Sequence, residues 1–466
     1  MKKGLFASYF AGIRDVAHGE SFETIIRFFL PEFVTALLVY SVPIWIEGSF
    51  ISHLRSTPAT ATLGATNNLI HTFVKMSEAL SVGTLVLAGQ FNGRSEFEKV
   101  GKAVQNAFWV TFCAGIFIST ALYFGAYWIY AWLGVPPEII GLGVPYLRLR
   151  AIGIFFLFVY MGLVGFLRGI KNTKIPMQTY IMGAIILLVL DYALIFGRFG
   201  LPEMGLQGSA VASVVQHFSM TVAVLLYILF SQESRKYAFD LLTVFRSRAY
   251  TAELIRLSWP VFLDKTILAA AYIWLLKMIA PMGSCIVATF CVIKDMERVA
   301  LAPALAFASV ITFLVSNDYG RKNWQSIKSN IKKTVFLGSF CVMGILFIFS
   351  LMPEFVIGIF DKKGEFVSLA ARAFPILSML AFFDLLQVIL SGALRGAANV
   401  KTVMMVRLIV CGGIFVPLSY CLTFLPIEDQ VLKFIVIYGS FYMCNGIMSF
   451  IYINRFRSDE WKKQTI

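Results

Sequence analysis

Twelve apolar runs, each long enough to be a membrane-crossing helix, constrain this chain more than any other feature. They cover residues 25–50, 59–89, 104–133, 146–167, 175–197, 205–231, 258–281, 284–315, 333–359, 367–393, 402–425 and 431–454. A helix needs roughly 20 apolar residues to cross the hydrocarbon core. Several of the runs are longer, which predicts tilt or projection past the headgroups. Gly and Pro are frequent inside them, as membrane helices allow. No repeated ten-residue stretch alternates with period two, so strands are not expected. The expected fold class is an all-α polytopic membrane protein of about twelve transmembrane helices.

Composition agrees. Of the 466 residues, 58% are hydrophobic and 14% charged. Soluble domains average about 45–50% apolar and about 25% charged residues. A soluble enzyme, a disordered chain and a nucleic-acid-binding module are excluded on this ground. Seven cysteines lie in apolar runs without metal-ligand spacing and are expected to be small buried hydrophobes. The first twenty residues include Lys2, Lys3, Arg14 and Asp15 and lack the apolar core of a cleavable leader.

The net charge of +14 is distributed by loop. Alternate loops carry Arg94, Lys99 and Lys102; Arg168, Lys171 and Lys174; Arg235, Lys236, Arg246 and Arg248; Arg321, Lys322, Lys328, Lys332 and Lys333; and Arg395 and Lys401. The loops between them are nearly bare of charge. Basic loops stay in the cytoplasm, so both termini are expected there, in a multi-pass protein of the cell membrane.

The chain repeats itself. Gly165-Phe-Leu-Arg-Gly-Ile-Lys-Asn-Thr-Lys174 answers to Gly392-Ala-Leu-Arg-Gly-Ala-Ala-Asn-Val-Lys401, 227 residues on. Over residues 165–177, seven of thirteen positions are identical to their counterparts. Ile26, Arg27, Pro31, Phe33, Ile44 and Trp45 likewise match Ile255, Arg256, Pro260, Phe262, Ile273 and Trp274 at an offset of 229. The first segment thus answers to the seventh, and the fourth to the tenth. Repeats of parallel topology predict two six-helix lobes related by a pseudo-twofold axis along the membrane normal. The boundaries expected are 1–231 for the first lobe, 232–256 for a cytoplasmic linking loop and 257–466 for the second.

These residues resemble a family. Leu167-Arg-Gly-Ile-Lys-Asn-Thr-Lys-Ile-Pro176, Leu190-Asp-Tyr-Ala-Leu-Ile-Phe-Gly197 and Gly205-Leu-Gln-Gly-Ser-Ala-Val-Ala-Ser213 are similar to the signature of multidrug and toxic compound extrusion (MATE) transporters, of the MOP flippase superfamily. Gly83, Thr84, Gly89, Gln90 and Gly93 resemble the end of that family's second helix. Asp384-Leu-Leu-Gln-Val-Ile-Leu-Ser-Gly-Ala-Leu-Arg-Gly396 resembles its tenth. The resemblance covers essentially the whole chain. It implies secondary active export of small organic, cationic or amphipathic compounds by H⁺ or Na⁺ antiport, in a bacterial inner membrane.

Ionisable residues at bilayer depth are costly and mark function. Glu47 closes the first apolar run, Asp191 lies within Ile185-Ile-Leu-Leu-Val-Leu-Asp191, and Asp384 stands alone in Ala381-Phe-Phe-Asp384. The resemblance makes these three the cation-coupling acids. It also implies an Asn at the position of Leu187 and an acid at that of Leu268. Both oxygen ligands are missing, which favours H⁺ over Na⁺. Asp264, one turn before Leu268, offers a substitute, with Lys265 beside it.

Two charge clusters complete the candidate cleft or substrate residues: Asn67, Asn68, Lys75 and Glu78 with His71 in the second segment, and Lys294, Asp295, Glu297 and Arg298 in the eighth. Their spacing places Lys75 over Glu78 and Lys294 over Glu297. Trp45 and Trp274 are expected to pack or anchor, and His217 to have its hydrogen bonds met within the bundle. No phosphate-binding loop is present, so no nucleotide and no other cofactor is expected beyond the coupling ion. The expected partners are a small-molecule substrate, the coupling cation and membrane lipid, with no nucleic acid, and the chain is expected to be a monomer. A flippase for lipid-linked precursors is the alternative, since Lys75, Lys265, Lys294 and Arg298 supply basic groups for phosphate. No nucleophile–base pair supports an enzyme.

Overall fold

The computed structural model describes residues 18–40, 42–54, 56–132, 134–239, 247–358 and 367–463. The charged N-terminal residues, Arg246, and the side chains of Trp45 and Asn68 lie outside the described set. Fifteen principal helices follow in order: α1 (Phe22–Tyr40), α2 (Val42–His53), α3 (Thr57–Gly93), α4 (Phe97–Trp132), α5 (Pro137–Gly169), α6 (Lys174–Phe196), α7 (Leu206–Phe230), α8 (Arg248–Ile279), α9 (Ser284–Ala300), α10 (Ala302–Gly320), α11 (Trp324–Leu351), α12 (Val367–Gly396), α13 (Val400–Val410), α14 (Val416–Thr423) and α15 (Gln430–Arg457). No strand occurs among the described residues.

Among the described residues, eight spans are long and apolar enough to cross a membrane, and nine if the bent pair α9–α10 counts as one. The apolar runs that fall short lie on α1 with α2, on α3 and on α8. These helices carry Glu32 and Glu47, Lys75 and Glu78, and Asp264 and Lys265, all of them buried or half-buried.

Two of the runs are interrupted among the described residues. The eighth bends by 44° where α9 meets α10. The eleventh contains a π turn, Cys411–Phe415, between α13 and α14. Gly412 and Gly413 lie in that turn and Pro417 follows it, so poor helix formers and a missing backbone donor coincide there.

The chain divides into two compact units. One holds Val34–Trp259; the other holds the described residues up to Phe33 together with Pro260 onward. The divisions fall inside α1 and α8, close to Pro31 and Pro260, the prolines that the repeat pairs. Residues 18–33 accordingly pack on the C-terminal half of the sequence. The Phe29 ring stacks on Phe307 at 4.1 Å, and Lys333 Nζ donates to the carbonyls of His18 and Glu20.

Within each unit one helix is central: α5 in the first, α12 in the second. The repeated Gly-x-Leu-Arg-Gly motif ends both. A methyl group on Gly165 would lie 2.4 Å from the Ser81 carbonyl of α3, and one on Gly169 2.9 Å from that of Leu85. On Gly392 it would meet the Ala308 carbonyl of α10 at 2.7 Å, and on Gly396 the Thr312 carbonyl at 2.4 Å. Small residues four apart let two membrane helices touch backbone to backbone, the contact that lipid cannot supply.

The turns after these helices repeat as well. Lys171 and Ala398 hold left-handed φ values of 65° and 59°, again 227 residues apart. Asn172 N donates to Leu167 O, and Asn399 N to Leu394 O, which is the same helix-ending motif twice. Ser95 and Lys322 form a second such pair, with φ of 60° and 56°. The repeat is therefore backbone geometry as well as sequence.

The cysteines correct one expectation. Cys411 and Cys444 are buried, but Cys113, Cys285, Cys291 and Cys421 are exposed and Cys341 is half-buried. In a membrane the outer face meets lipid rather than water, so a thiol suits it as well as the core does.

Candidate functional site

In the Val34–Trp259 unit, α2, α3, α5 and α7 bring a set of polar side chains together. The buried Glu47 of α2 accepts at Oε1 from Tyr146 Oη at 3.0 Å and from Ser209 Oγ of α7. Arg150 Nη1 lies 3.6 Å from the same oxygen. The guanidinium also donates to Ser213 Oγ and, at 3.5 Å, to Asn67 Oδ1 of α3. Tyr146 and Arg150 are one turn apart on α5, so their side chains reach the same carboxylate. The guanidinium lies 5.9 Å from the centre of the Tyr146 ring. Glu47 thus accepts two hydroxyl hydrogen bonds and faces the Arg150 guanidinium.

Asp191 of α6 differs. Its exposure is 0%, and neither carboxylate oxygen has a hydrogen-bond partner among the described residues. It lies within electrostatic reach of both Glu47 and Arg150. One turn earlier on α6, Leu187 lines a cavity of about 130 Å³ that Glu47, Asn67, His71, Arg150, Gln216 and His217 also line. That volume holds several water molecules, and the polar walls give them partners. His217 Nδ1 is 2.7 Å from the Ser213 carbonyl, so its imidazole is satisfied within α7. Lys75 and Glu78 lie further along α3 and do not line this cavity.

In the second unit the candidate acids Asp264, Asp384 and Glu297 each have their own hydrogen-bond donors. Asp264 of α8 is buried and accepts from Arg395 Nη2 at 2.5 Å and from Arg407 Nε. Both of its oxygens are engaged by guanidinium groups. Asp384 of α12 accepts at Oδ1 from Asn445 Nδ2 of α15 at 3.1 Å. Glu297 of α9 accepts from Tyr438 Oη at 2.6 Å. Its neighbours diverge around the helix: Lys294 Nζ sits 4.4 Å from the centre of the Tyr272 ring, while Asp295 and Arg298 pair at 3.3 Å on a half-exposed face. Lys265 is half-buried beside Asp264, and Leu268 occupies the next turn of α8. Trp274 anchors by donating from Nε1 to Ser419 Oγ at 2.9 Å.

Sequence reasoning named the acids and missed the arginines. Arg150 stands in Tyr146-Leu-Arg-Leu-Arg150 and Arg407 in Met404-Met-Val-Arg407, both within apolar runs. A basic residue at bilayer depth is as strong a signal as an acid. Asn445, Tyr146, Ser209 and Ser213 had no signal of their own, because uncharged polar residues are common in membrane helices.

Acids buried inside two repeated all-helical units are the arrangement expected of a polytopic membrane transporter. The chain belongs to the MatE family: its model matches residues 31–193 and again 260–421, once on each copy of the repeat. A probable multidrug resistance protein, NorM of Thermotoga maritima, is 23% identical over 363 residues, which cover 78% of this chain and 77% of that one. A probable multidrug resistance protein, YoeA of Bacillus subtilis, is 24% identical over 373 residues, covering 78% and 79%. A multidrug resistance MATE family transporter of the MOP superfamily, solved in an outward-facing conformation, shares the fold with a TM-score of 0.85 at 17% identity. That match covers 96% of this chain and 98% of the other. Transporters of this family draw on ion gradients and use no cofactor.

Proposed function

We propose that this protein is an antiporter that expels small organic compounds, cationic or amphipathic, in exchange for protons by alternating access. Asp191 carries the proton in the first lobe and Asp384 in the second. The lobes that alternate are residues 1–231 and 257–466, joined by 232–256. The protein works as a monomer in a bacterial inner membrane with both termini in the cytoplasm, the side to which its basic loops point.

The observation that carries the proton reading is the contrast between two neighbouring acids. Glu47 has a guanidinium and two hydroxyl donors; Asp191, fully buried, has none. A buried carboxylate without donors is far less costly neutral than charged, and a proton neutralises it. Na⁺ requires several oxygens gathered around the acid. On α6 the neighbouring position is Leu187, and on α8 the corresponding one is Leu268, so neither supplies an oxygen. The adjoining cavity provides space for water to bring the proton.

The test is transport in proteoliposomes of a fluorescent organic cation under an imposed pH gradient without Na⁺. Transport is expected to follow the pH gradient and to change little when Na⁺ is added outside. Strict dependence on Na⁺ at fixed pH would refute proton coupling. Labelled lipid in the same vesicles tests the flippase function, and lipid movement without cation export would replace the exporter.

A further inference from the structure

The arrangement around Arg150 bears on a question that the proton reading leaves open: whether two acids, both buried in one bundle, together hold a metal ion. Three oxygens face the guanidinium, each from a different helix: Glu47 Oε1 at 3.6 Å from α2, Asn67 Oδ1 at 3.5 Å from α3, and Ser213 Oγ from α7. A carboxylate, an amide carbonyl and a hydroxyl make the donor set that a hard cation takes. A second carboxylate, Asp191, lies within electrostatic reach. What stands at the centre of this set is a side chain of the protein.

We infer that Arg150 is a tethered cation that occupies the place of a metal ion in this unit and so closes the site to Na⁺. The inference rests on the proposal that Asp191 is the exchangeable acid, and it adds the residue that decides ion specificity. A guanidinium does not lose its proton at any pH a protein survives. Its charge is therefore permanent, and an arriving Na⁺ meets a fixed like charge a few ångströms away in a poorly screening interior. Glu47 and Arg150 cancel. Asp191 then leaves the site one charge short of neutrality, and a proton, which needs no coordination shell, supplies it. His71 and His217 line the same cavity; His217 Nδ1 is engaged by the Ser213 carbonyl, and neither side chain contributes a carboxylate to the set.

The geometry also predicts what the site becomes without the tether. Removing the guanidinium leaves Glu47, Asn67 and Ser213 around a vacated, water-accessible position with Ser209 Oγ on the far side of Glu47. That is an Na⁺ site in the making.

The experiment reads Na⁺ binding directly, without transport. The full chain is purified in detergent, and retention of radioactive Na⁺ and the thermal unfolding midpoint in Na⁺ against K⁺ are measured. Wild type is expected to retain no Na⁺ through this site and to unfold at the same temperature in both salts. Arg150→Met and Arg150→Gln are expected to raise Na⁺ retention about 10-fold or more, a change worth about 1.4 kcal/mol. They are also expected to unfold at a higher temperature in Na⁺ than in K⁺. Adding Glu47→Gln to either should abolish the gain. Na⁺ binding by the wild type that Glu47→Gln removes would overturn the inference, as would folded Arg150 variants that gain none. Failure of both variants to fold would make Arg150 a structural residue and would overturn it too. Transport that is driven by Na⁺ while the Arg150 variants still gain a Glu47-dependent site would refute proton coupling and leave this inference standing.

Discussion

Asp264 and Arg407 form a buried ion pair between two helices whose contacting residues are 143 positions apart. Arg395 takes the other oxygen of the same carboxylate at 2.5 Å. The acid nearest to the position where the family resemblance expects a coupling residue is therefore held on both oxygens by guanidinium groups, whereas Asp384 accepts from the neutral amide of Asn445. Buried pairs of this kind add little net stability compared with apolar residues of the same shape. Breaking one is expensive, because the remaining charge keeps its desolvation cost.

Asp264→Asn should destabilise the protein strongly, by about 3–5 kcal/mol, since it strands two guanidinium groups at once. Arg407→Met should cost less, because Arg395 stays on Asp264. Chemical unfolding of the purified protein in detergent measures both. Equal midpoints for Asp264→Asn and wild type would show that the pair is not formed.

Asp191→Asn should fold and reach the membrane at wild-type levels, because no donor is lost with the charge, and should stop transport driven by a pH gradient. Glu47→Gln should instead lower stability, by roughly 1–3 kcal/mol, as it leaves Arg150 without its carboxylate. Expression, unfolding midpoint and vesicle transport compared for the two variants separate these outcomes. Full transport by Asp191→Asn would remove Asp191 from the mechanism.

Gly165→Val and Gly392→Val should each be destabilising, by roughly 1–3 kcal/mol, with no change in any charged group. At both positions a side chain would be driven into the backbone of the neighbouring helix. Gly344→Val, on α11 where an added methyl group meets no atom within 4 Å, is the control. Thermal unfolding is the measurement, and a neutral Gly165→Val would mean that α3 and α5 separate at little cost.

Asp429 sits just before α15, outside the span, and accepts from Val431 N at 2.8 Å and from Arg372 Nη2 at 2.8 Å. The Val431 amide above all, and then Arg372, hold its carboxyl below the ordinary value of 3.8. A depressed folded-state value means that the stabilisation is present above pH 3.8 and is lost as the pH falls through the lower, folded value. Asp429→Ala should therefore flatten the acid limb of the unfolding midpoint against pH below about 4. An acid limb identical to that of wild type would show that the cap contributes nothing there.

Much of this molecule is legible in its residues. The Gly-x-Leu-Arg-Gly repeat announces a helix contact and a turn, and both occur twice, because a residue without a side chain and a left-handed turn are local requirements written in local sequence. The apolar surroundings of Asp191 are also legible: within a turn of it on α6 only Tyr192 carries a polar group, and neither of its carboxylate oxygens accepts a hydrogen bond among the described residues. The lost segments of apolar character are harder to read. A Glu or Lys in a long run barely changes its appearance, yet it removes the helix from the set that is apolar enough to span.

Partner choice among the charges was decided by tertiary structure alone. Arg148 and Arg150 are indistinguishable in sequence, two residues apart in one apolar helix. Arg148 faces outward and donates to the Tyr123 carbonyl at 3.3 Å, while Arg150 turns inward to Glu47. Two residues are more than half a helical turn, so the facing of α5 settles which one reaches Glu47, and Gly165 and Gly169 seat that helix against α3. The same holds in the second unit, where Asp264 lies one turn from the expected position and finds two arginines there. The sequence by itself determined the class of fold, its repeat and the acids that had to be accounted for, because periodicity, helix breakers and the cost of charge in lipid act along the chain. Which acid is paired and which is left without a donor depends on oxygens and nitrogens that meet across 83 to 162 residues, and only the packing of the helices brings them within reach.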